Sequence, residues 1–293
     1  MSLTPHQKLA ERHLSALALR LFTECPLRFR RRYIDGLQLA GLPDDPDEQR
    51  ALRQGERFHL MARRYYAGLQ PGTLGDAGER AELEGWLDRL RRYLPRDPEK
   101  VYYPELELRL KEPFEQPSGP DQPALRLMAK FDLLTVESDG TATIYDWKTL
   151  RRMPAHQRLA EAFQTVVYRY VLCAAGGAYA PGGRFDPGRV TMVYWNPLRG
   201  GVEERFPYGA EPFAADGERL RRVVSEILST PPDGFLPTGD ERICARCEYR
   251  PLCHGQAAHW ADGEGADVDV PVEEELSEEV AGGGDDPADL PLP

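Results

Sequence analysis

Residues 127–150, LMAKFDLLTVESDGTATIYDWKTL, restrict what this chain can fold into more than any other stretch. β-Branched and aromatic residues alternate on either side of Ser138-Asp139-Gly140, which predicts two apolar strands joined by a tight turn. Each strand carries an acid that apolar packing does not explain. Asp132 lies on the first; Asp146 lies on the second, with Lys148 two residues later. Side chains on a strand alternate faces, so Asp146 and Lys148 point the same way and a hairpin can bring Asp132 alongside them. Two carboxylates and an ammonium on one face can hold Mg2+ or Mn2+ through oxygen ligands while the lysine steadies a water or a phosphoryl oxygen. An isolated D-x-K is more often a cross-strand salt bridge on a solvated face, so the decision rests with the rest of the chain.

A length of 293 residues with 41% hydrophobic content is enough for one large domain or two small ones. No apolar run of membrane-spanning length occurs, and the N-terminus lacks a charged-then-apolar signal pattern, so a soluble, cytoplasmic protein is expected. The net charge of −11 is unevenly placed: residues 262–293 hold 12 Asp and Glu and no Lys or Arg, leaving residues 1–261 at +1. A nearly neutral, arginine-rich body is compatible with a basic groove. The expected organisation is a single domain over 1–261 and an acidic, disordered tail over 262–293, which holds no aromatic residue to offset its ordering entropy. Such a tail can act as a solubiliser or compete with phosphates for a basic groove.

Along the chain, residues 15–37 predict a helix, a break at Cys25, and a second, basic helix with Pro26 in its first turn. Residues 45–69 and 76–94 predict amphipathic helices, the former carrying Gly55 and His59. A strand over 101–110, the hairpin, a helix over 155–175 that stops at Gly176-Gly177, strands over 189–195 and 201–206 and a helix over 212–229 complete the pattern. Strands interleaved with helices imply an α/β fold, a central mixed sheet flanked by helices.

The five cysteines form an odd set with tight C-terminal spacing, which argues against a disulfide framework and for metal. Cys244-x-x-Cys247-x5-Cys253 places three thiolates within reach of one metal centre. Cys25 is the candidate fourth ligand, because Cys173 has apolar helical neighbours; His254 and His259 are alternatives. A zinc knot and an iron–sulfur cluster both fit this spacing, and either would staple the N-terminal helices to the C-terminal loop. Gln164 and Tyr168, four residues apart, share a face of the helix that follows the D-x-K strand. Glu105 and Glu107 lie on the 101–110 strand.

Taken in order, these segments resemble a family. Cys25-Pro26-x-x-Phe29, Gly55-x-x-x-His59, an x-x-x-D strand carrying Asp132, Asp146-Trp147-Lys148-Thr149, Gln164-x-x-x-Tyr168 and the C-terminal cysteines resemble the RecB-type branch of the PD-(D/E)xK nucleases. The chain is most similar to the iron–sulfur members: the CRISPR-associated four-cysteine exonucleases and the nuclease domain of the AddB helicase–nuclease subunit. The resemblance spans about 25 to 253. It implies a restriction-endonuclease-like core in which His59, Asp132, Asp146 and the backbone carbonyl of Trp147 bind Mg2+ or Mn2+. Lys148 would position or activate the attacking water, and Gln164 and Tyr168 would orient that lysine or contact the DNA backbone. Cys25, Cys244, Cys247 and Cys253 would hold a [4Fe–4S] cluster, and Glu105 falls near an acid often present upstream in these proteins. Where the family commonly has glycine three residues before the first aspartate, this chain has Ala129.

The implied activity is hydrolysis of phosphodiester bonds, probing toward an exonuclease on single-stranded DNA or DNA ends in repair, recombination or defence. Two other readings remain at this stage: a non-catalytic DNA-binding or assembly factor that uses the fold as a scaffold for a helicase partner, and a zinc-stabilised structural protein. No G-x-x-x-x-G-K-[ST] loop is present, so any unwinding has to come from a partner.

Overall fold

The computed structural model describes residues 9–37, 46–72, 75–114 and 124–256, apart from the side chains of Glu48 and Arg199. The acidic segment 262–293 and His259 lie outside the described residues. Five strands form one sheet in the order β1-β2-β3-β4-β5: β1 (Val101–Pro113), β2 (Ala124–Val136), β3 (Ala142–Trp147), β4 (Val190–Asn196) and β5 (Val202–Pro207). Neighbours are antiparallel except β3 and β4, which are parallel. A parallel pair needs a crossover, and the helices between β3 and β4 supply it. The turn between β2 and β3 closes at Gly140, whose φ of +85° suits a residue without a Cβ. This mixed sheet flanked by helices agrees with the α/β expectation.

Two helical layers cover the sheet. On one side, Leu19 and Phe22 of α1 (Ala16–Glu24), Phe29 of α2 (Pro26–Tyr33), Val167 and Val171 of α6 (Phe163–Ala175), and Leu220 and Ile227 of α7 (Ala210–Ser229) share a core with the sheet. On the other, Phe58 and Met61 of α3 (Pro46–Tyr66) and Trp86 and Leu90 of α4 (Ala77–Tyr93) pack on Tyr145, Trp147 and Trp195. Among the described residues no helix is long and apolar enough to cross a membrane.

The segment expected as one helix over 155–175 is two. α5 (His156–Glu161) ends at Ala162, whose extended backbone (φ −62°, ψ 140°) lets α6 start afresh. Thr165 Oγ1 donates to the Leu159 carbonyl at 2.5 Å, which satisfies one of the acceptors freed by the break. Inside α6, residues 165–172 are all buried, because the helix lies between the sheet and the outer helices.

α1 opens with Ser15 Oγ accepting the Ala18 amide at 3.2 Å and closes at Cys25. Cys25 has an extended backbone (φ −159°), and Pro26 then begins α2 with no amide to waste. The break the sequence predicts is therefore a sharp helix–helix corner with a thiol at its apex.

α3 approaches the end of β3 closely at Gly55, where an added Cβ would stand 2.7 Å from Thr149 Oγ1. That approach lowers the next turn of α3, with His59, onto the hairpin. Gly55→Ala removes a helix-interior glycine, worth about 1 kcal/mol, but collides with Thr149. The single substitution should therefore destabilise, and Gly55→Ala with Thr149→Ala should recover or exceed the stability of Thr149→Ala alone. A urea-denaturation double-mutant cycle that gave additive effects would contradict this contact.

Candidate active site

The site is built where β2 and β3 part. Their ladder runs from Val136↔Ala142 to Leu133↔Tyr145 and goes no further. At the next level Asp132 takes over a role the ladder would have filled: its Oδ2 accepts the Trp147 amide at 2.6 Å. Its Oδ1 lies 3.1 Å from His59 Nδ1, and His59 Nε2 lies 2.9 Å from the Trp147 carbonyl oxygen. One residue, Trp147, thus ties Asp132 and His59 to the end of β3 through its amide and its carbonyl.

β1 completes this half. Glu105 stands across from Asp132 in register, yet the pairing skips that level, running from Pro104↔Leu133 to Leu106↔Phe131. The reason is its backbone: Glu105 has φ +56°, the left-handed region that a side-chain-bearing residue occupies at a cost of about 1–3 kcal/mol. Both strands change face there. Leu106, Leu108 and Leu110 meet the α1/α6/α7 core, and so does Tyr103, which strict alternation would not allow. In β2 the same shift falls between Phe131 and Leu134, which share that core, while Leu133 joins the aromatic core opposite. The outcome is a cluster: one ligand atom each from His59, Glu105 and Asp132 lies within 4.8 Å of the others. Glu105 Oε2 also meets Lys130 Nζ at 2.9 Å.

The second half faces α6. Asp146 and Lys148 alternate with Tyr145 and Trp147, so the acid and the ammonium turn away from the aromatic core. Lys148 Nζ lies 2.9 Å from Asp146 Oδ1 and donates to Gln164 Oε1 at 2.9 Å. Gln164 Nε2 donates to Asp146 Oδ2 at 2.7 Å, closing a three-membered ring of contacts. Tyr194, in register with Asp146 on β4, lies beneath: Lys148 Nζ stands 5.2 Å from its ring centre, and its hydroxyl is 3.4 Å from Gln164 Oε1 and 2.8 Å from Thr165 Oγ1. Tyr194 and Thr165 are not among the residues expected from the sequence. A tyrosine inside the apolar run VTMVYWN is the only signal of the former. Tyr168 sits one turn beyond Gln164, buried, with its ring edge-on to Phe131 at 5.2 Å between centroids.

Charge couples the halves. Burial alone would lower the His59 imidazole, but Asp132, Asp146 and Glu105 outweigh it and lift the group to about 9. Burial would raise Asp132, and the His59 imidazolium, the Trp147 amide and Lys148 together draw it below the usual carboxylate range. The donor set of one imidazole and two carboxylates suits a hard divalent ion. Asp146 stands outside the closest cluster because both its oxygens are turned toward Lys148 and Gln164.

Cys25, Cys244, Cys247 and Cys253 line one pocket, together with Arg28, Arg31 and His254. Cys244 ends the first turn of α8 (Glu241–Ala245) and Cys253 lies in α9 (Arg250–His254), so two short helices close over the α1–α2 corner. Cys25 Sγ accepts the Thr238 amide at 3.4 Å and Cys253 Sγ accepts from Arg31 Nη1 at 3.0 Å. Burial pushes the Cys247 thiol up to about 11. Cys173 lies apart, half-buried in α6.

No curated protein matches the chain. Among solved structures, the crystal structure of SSO0001 is 12% identical with a TM-score of 0.38, over 86% of this chain and 95% of its own. A protein from Eubacterium rectale, described as a "Putative exonuclease", is 11% identical with a TM-score of 0.44, over 89% of this chain and 96% of its own. The model of a family described as the PD-(D/E)XK nuclease superfamily matches residues 13–254. That span holds both halves of the site and all four pocket cysteines, and the chain belongs to the PD-(D/E)XK nuclease superfamily.

Proposed function

We propose that the chain is a Mg2+- or Mn2+-dependent deoxyribonuclease that hydrolyses phosphodiester bonds in single-stranded DNA or at DNA ends, stapled by a [4Fe–4S] cluster. The observation that carries this reading is the Lys148–Asp146–Gln164 ring set at the same strand fork as the His59–Glu105–Asp132 cluster. His59, Glu105 and Asp132 would hold the ion, with Asp146 and the Trp147 carbonyl beside them. Such an ion supplies charge neutralisation at the scissile phosphate and a lowered pKa for water.

The chain's own residues do the positioning. Asp146 and Gln164 hold the Lys148 ammonium from two sides, so it would meet a water or phosphoryl oxygen without a search over rotamers. Lys148→Ala should slow cleavage of end-labelled single-stranded DNA in Mn2+ by about a thousandfold while the protein keeps its folded secondary structure by circular dichroism. A Lys148→Ala protein that cuts at the wild-type rate would overturn the assignment.

His59 gives a pH dependence. In the ion-free protein its raised pKa stabilises the fold fully below the unfolded value of 6.5, and this contribution disappears as pH climbs through about 9. A divalent ion must displace the same proton. Mn2+ affinity, titrated by calorimetry, should therefore climb with pH up to about 9 and then level off, and His59→Ala should remove most of that slope.

The cysteine pocket supports the cluster: Cys25, Cys244, Cys247 and Cys253 line one pocket, and two of the sulfurs accept N–H donors, which favour thiolate ligands. Protein purified without air should be brown and contain iron. Cys25→Ser, Cys244→Ser, Cys247→Ser and Cys253→Ser should each lose iron while Cys173→Ser keeps it; a colourless, zinc-containing wild type would refute the cluster and leave the nuclease reading standing.

A further inference from the structure

One face of the β1–β2 ribbon beyond the active site packs on the α1/α6/α7 core through Leu108, Leu110, Leu125 and Leu127. Alternation puts Glu107, Arg109 and Lys111 of β1, and Arg126 and Lys130 of β2, on the other face. Their register makes a continuous row: Lys130 opposite Glu107, Arg109 opposite Met128, and Lys111 opposite Arg126. His13 joins the row from the segment before α1, which pairs beside β2 through Leu14↔Leu127. The row begins at the active site, because Lys130 is the residue that meets Glu105 at 2.9 Å.

This row is costly for a sheet. Lys111 and Arg126 are like charges directly opposite one another, a pairing that destabilises a ladder. His13 stands among them, its imidazole lowered by burial and by Arg109, Arg126 and Lys111, with Glu107 opposing. Glu107, the acid in the row, is already engaged by Arg109 Nε at 2.7 Å. Arg109 and Lys111 are exposed. The folded body is otherwise close to neutral, so this concentration of cations is local. From Asp132 to Arg126 the strand covers about 20 Å at about 3.3 Å per residue.

We propose that this ribbon face is the track along which a DNA strand lays its phosphate backbone as it enters the active site. The inference rests on the nuclease reading and adds where the strand runs: over His13, Lys111, Arg126 and Arg109 toward Lys130. Phosphates on the row relieve the repulsion the free protein carries between Lys111 and Arg126. Arg109, released from Glu107 or shared with it, meets the strand midway.

The test is the triple variant Arg109→Gln/Lys111→Gln/Arg126→Gln, which spares Lys130 because it touches the active-site cluster. Binding of a fluorescent single-stranded oligonucleotide is read by anisotropy with Ca2+ in place of Mn2+, and cleavage is scored separately. Three lost phosphate contacts should flatten the slope of log Kd against log salt by about 2, at about 0.7 per contact on single strands. KM should rise at least tenfold with kcat within twofold, and the melting temperature should hold or rise. Arg222→Gln, an exposed position of α7 in the opposite layer, should change none of these. A triple variant with wild-type KM and salt slope overturns the track and leaves the nuclease reading intact. A wild type that binds DNA through the row but does not cut removes the nuclease reading instead, and a wild type that binds no DNA removes both.

Discussion

The main chain of Trp147 is the constraint on which the rest of the site depends. Its amide is held by Asp132 at 2.6 Å and its carbonyl by His59 at 2.9 Å, so β2, β3 and α3 are joined through the two peptides that flank one residue. Main-chain groups cannot be moved by a rotamer change, which makes them stiffer anchors than a side chain. The Trp147 ring, meanwhile, is buried in the aromatic core among Tyr66, Tyr145 and Trp195. The same residue therefore couples hydrophobic packing to the placement of an imidazole and a carboxylate.

Burying several acids at one fork is unfavourable unless cations accompany them. In the ion-free protein, protonated His59 answers Asp132, Lys148 answers Asp146, and Lys130 answers Glu105. Each acid thus has a resident cation. A bound divalent ion would change this balance by displacing the His59 proton. Asp146 and Gln164 keep Lys148 aligned beside the cluster.

Periodicity and spacing made much of this legible. The hairpin, the helices around Phe58 and Trp86, the corner at Cys25 and the pairing of Asp146 with Lys148 all follow from local rules of alternation, capping and charge. What escaped those rules was backbone geometry specified by distant contacts. Nothing in VYYPELELRL indicates that Glu105 turns left-handed, and strict alternation would put it on the core side with Tyr103. Ala162 is a good helix former that nevertheless breaks a helix, its extended backbone separating α5 from α6. Tyr194 reads as core and is buried, yet its hydroxyl meets Thr165 and its ring lies under the Lys148 ammonium.

The two exceptions in β1 and β2 belong together. Glu105 and Asp132 face each other across a skipped rung, and each strand changes face at that level, so the ribbon rolls over without losing register on either side. Before the roll, Tyr102 and Leu133 feed the aromatic core under α3; after it, the same side of the ribbon carries Lys130, Glu107, Arg109, Arg126 and Lys111. Without the roll, the side chains of 106–111 would exchange faces, sending Arg109 and Lys111 into the leucine core and Leu108 and Leu110 into water. The strain at one glutamate thus does two things at once: it aims a carboxylate at His59 and Asp132, and it fixes which side of the long ribbon is apolar and which is charged.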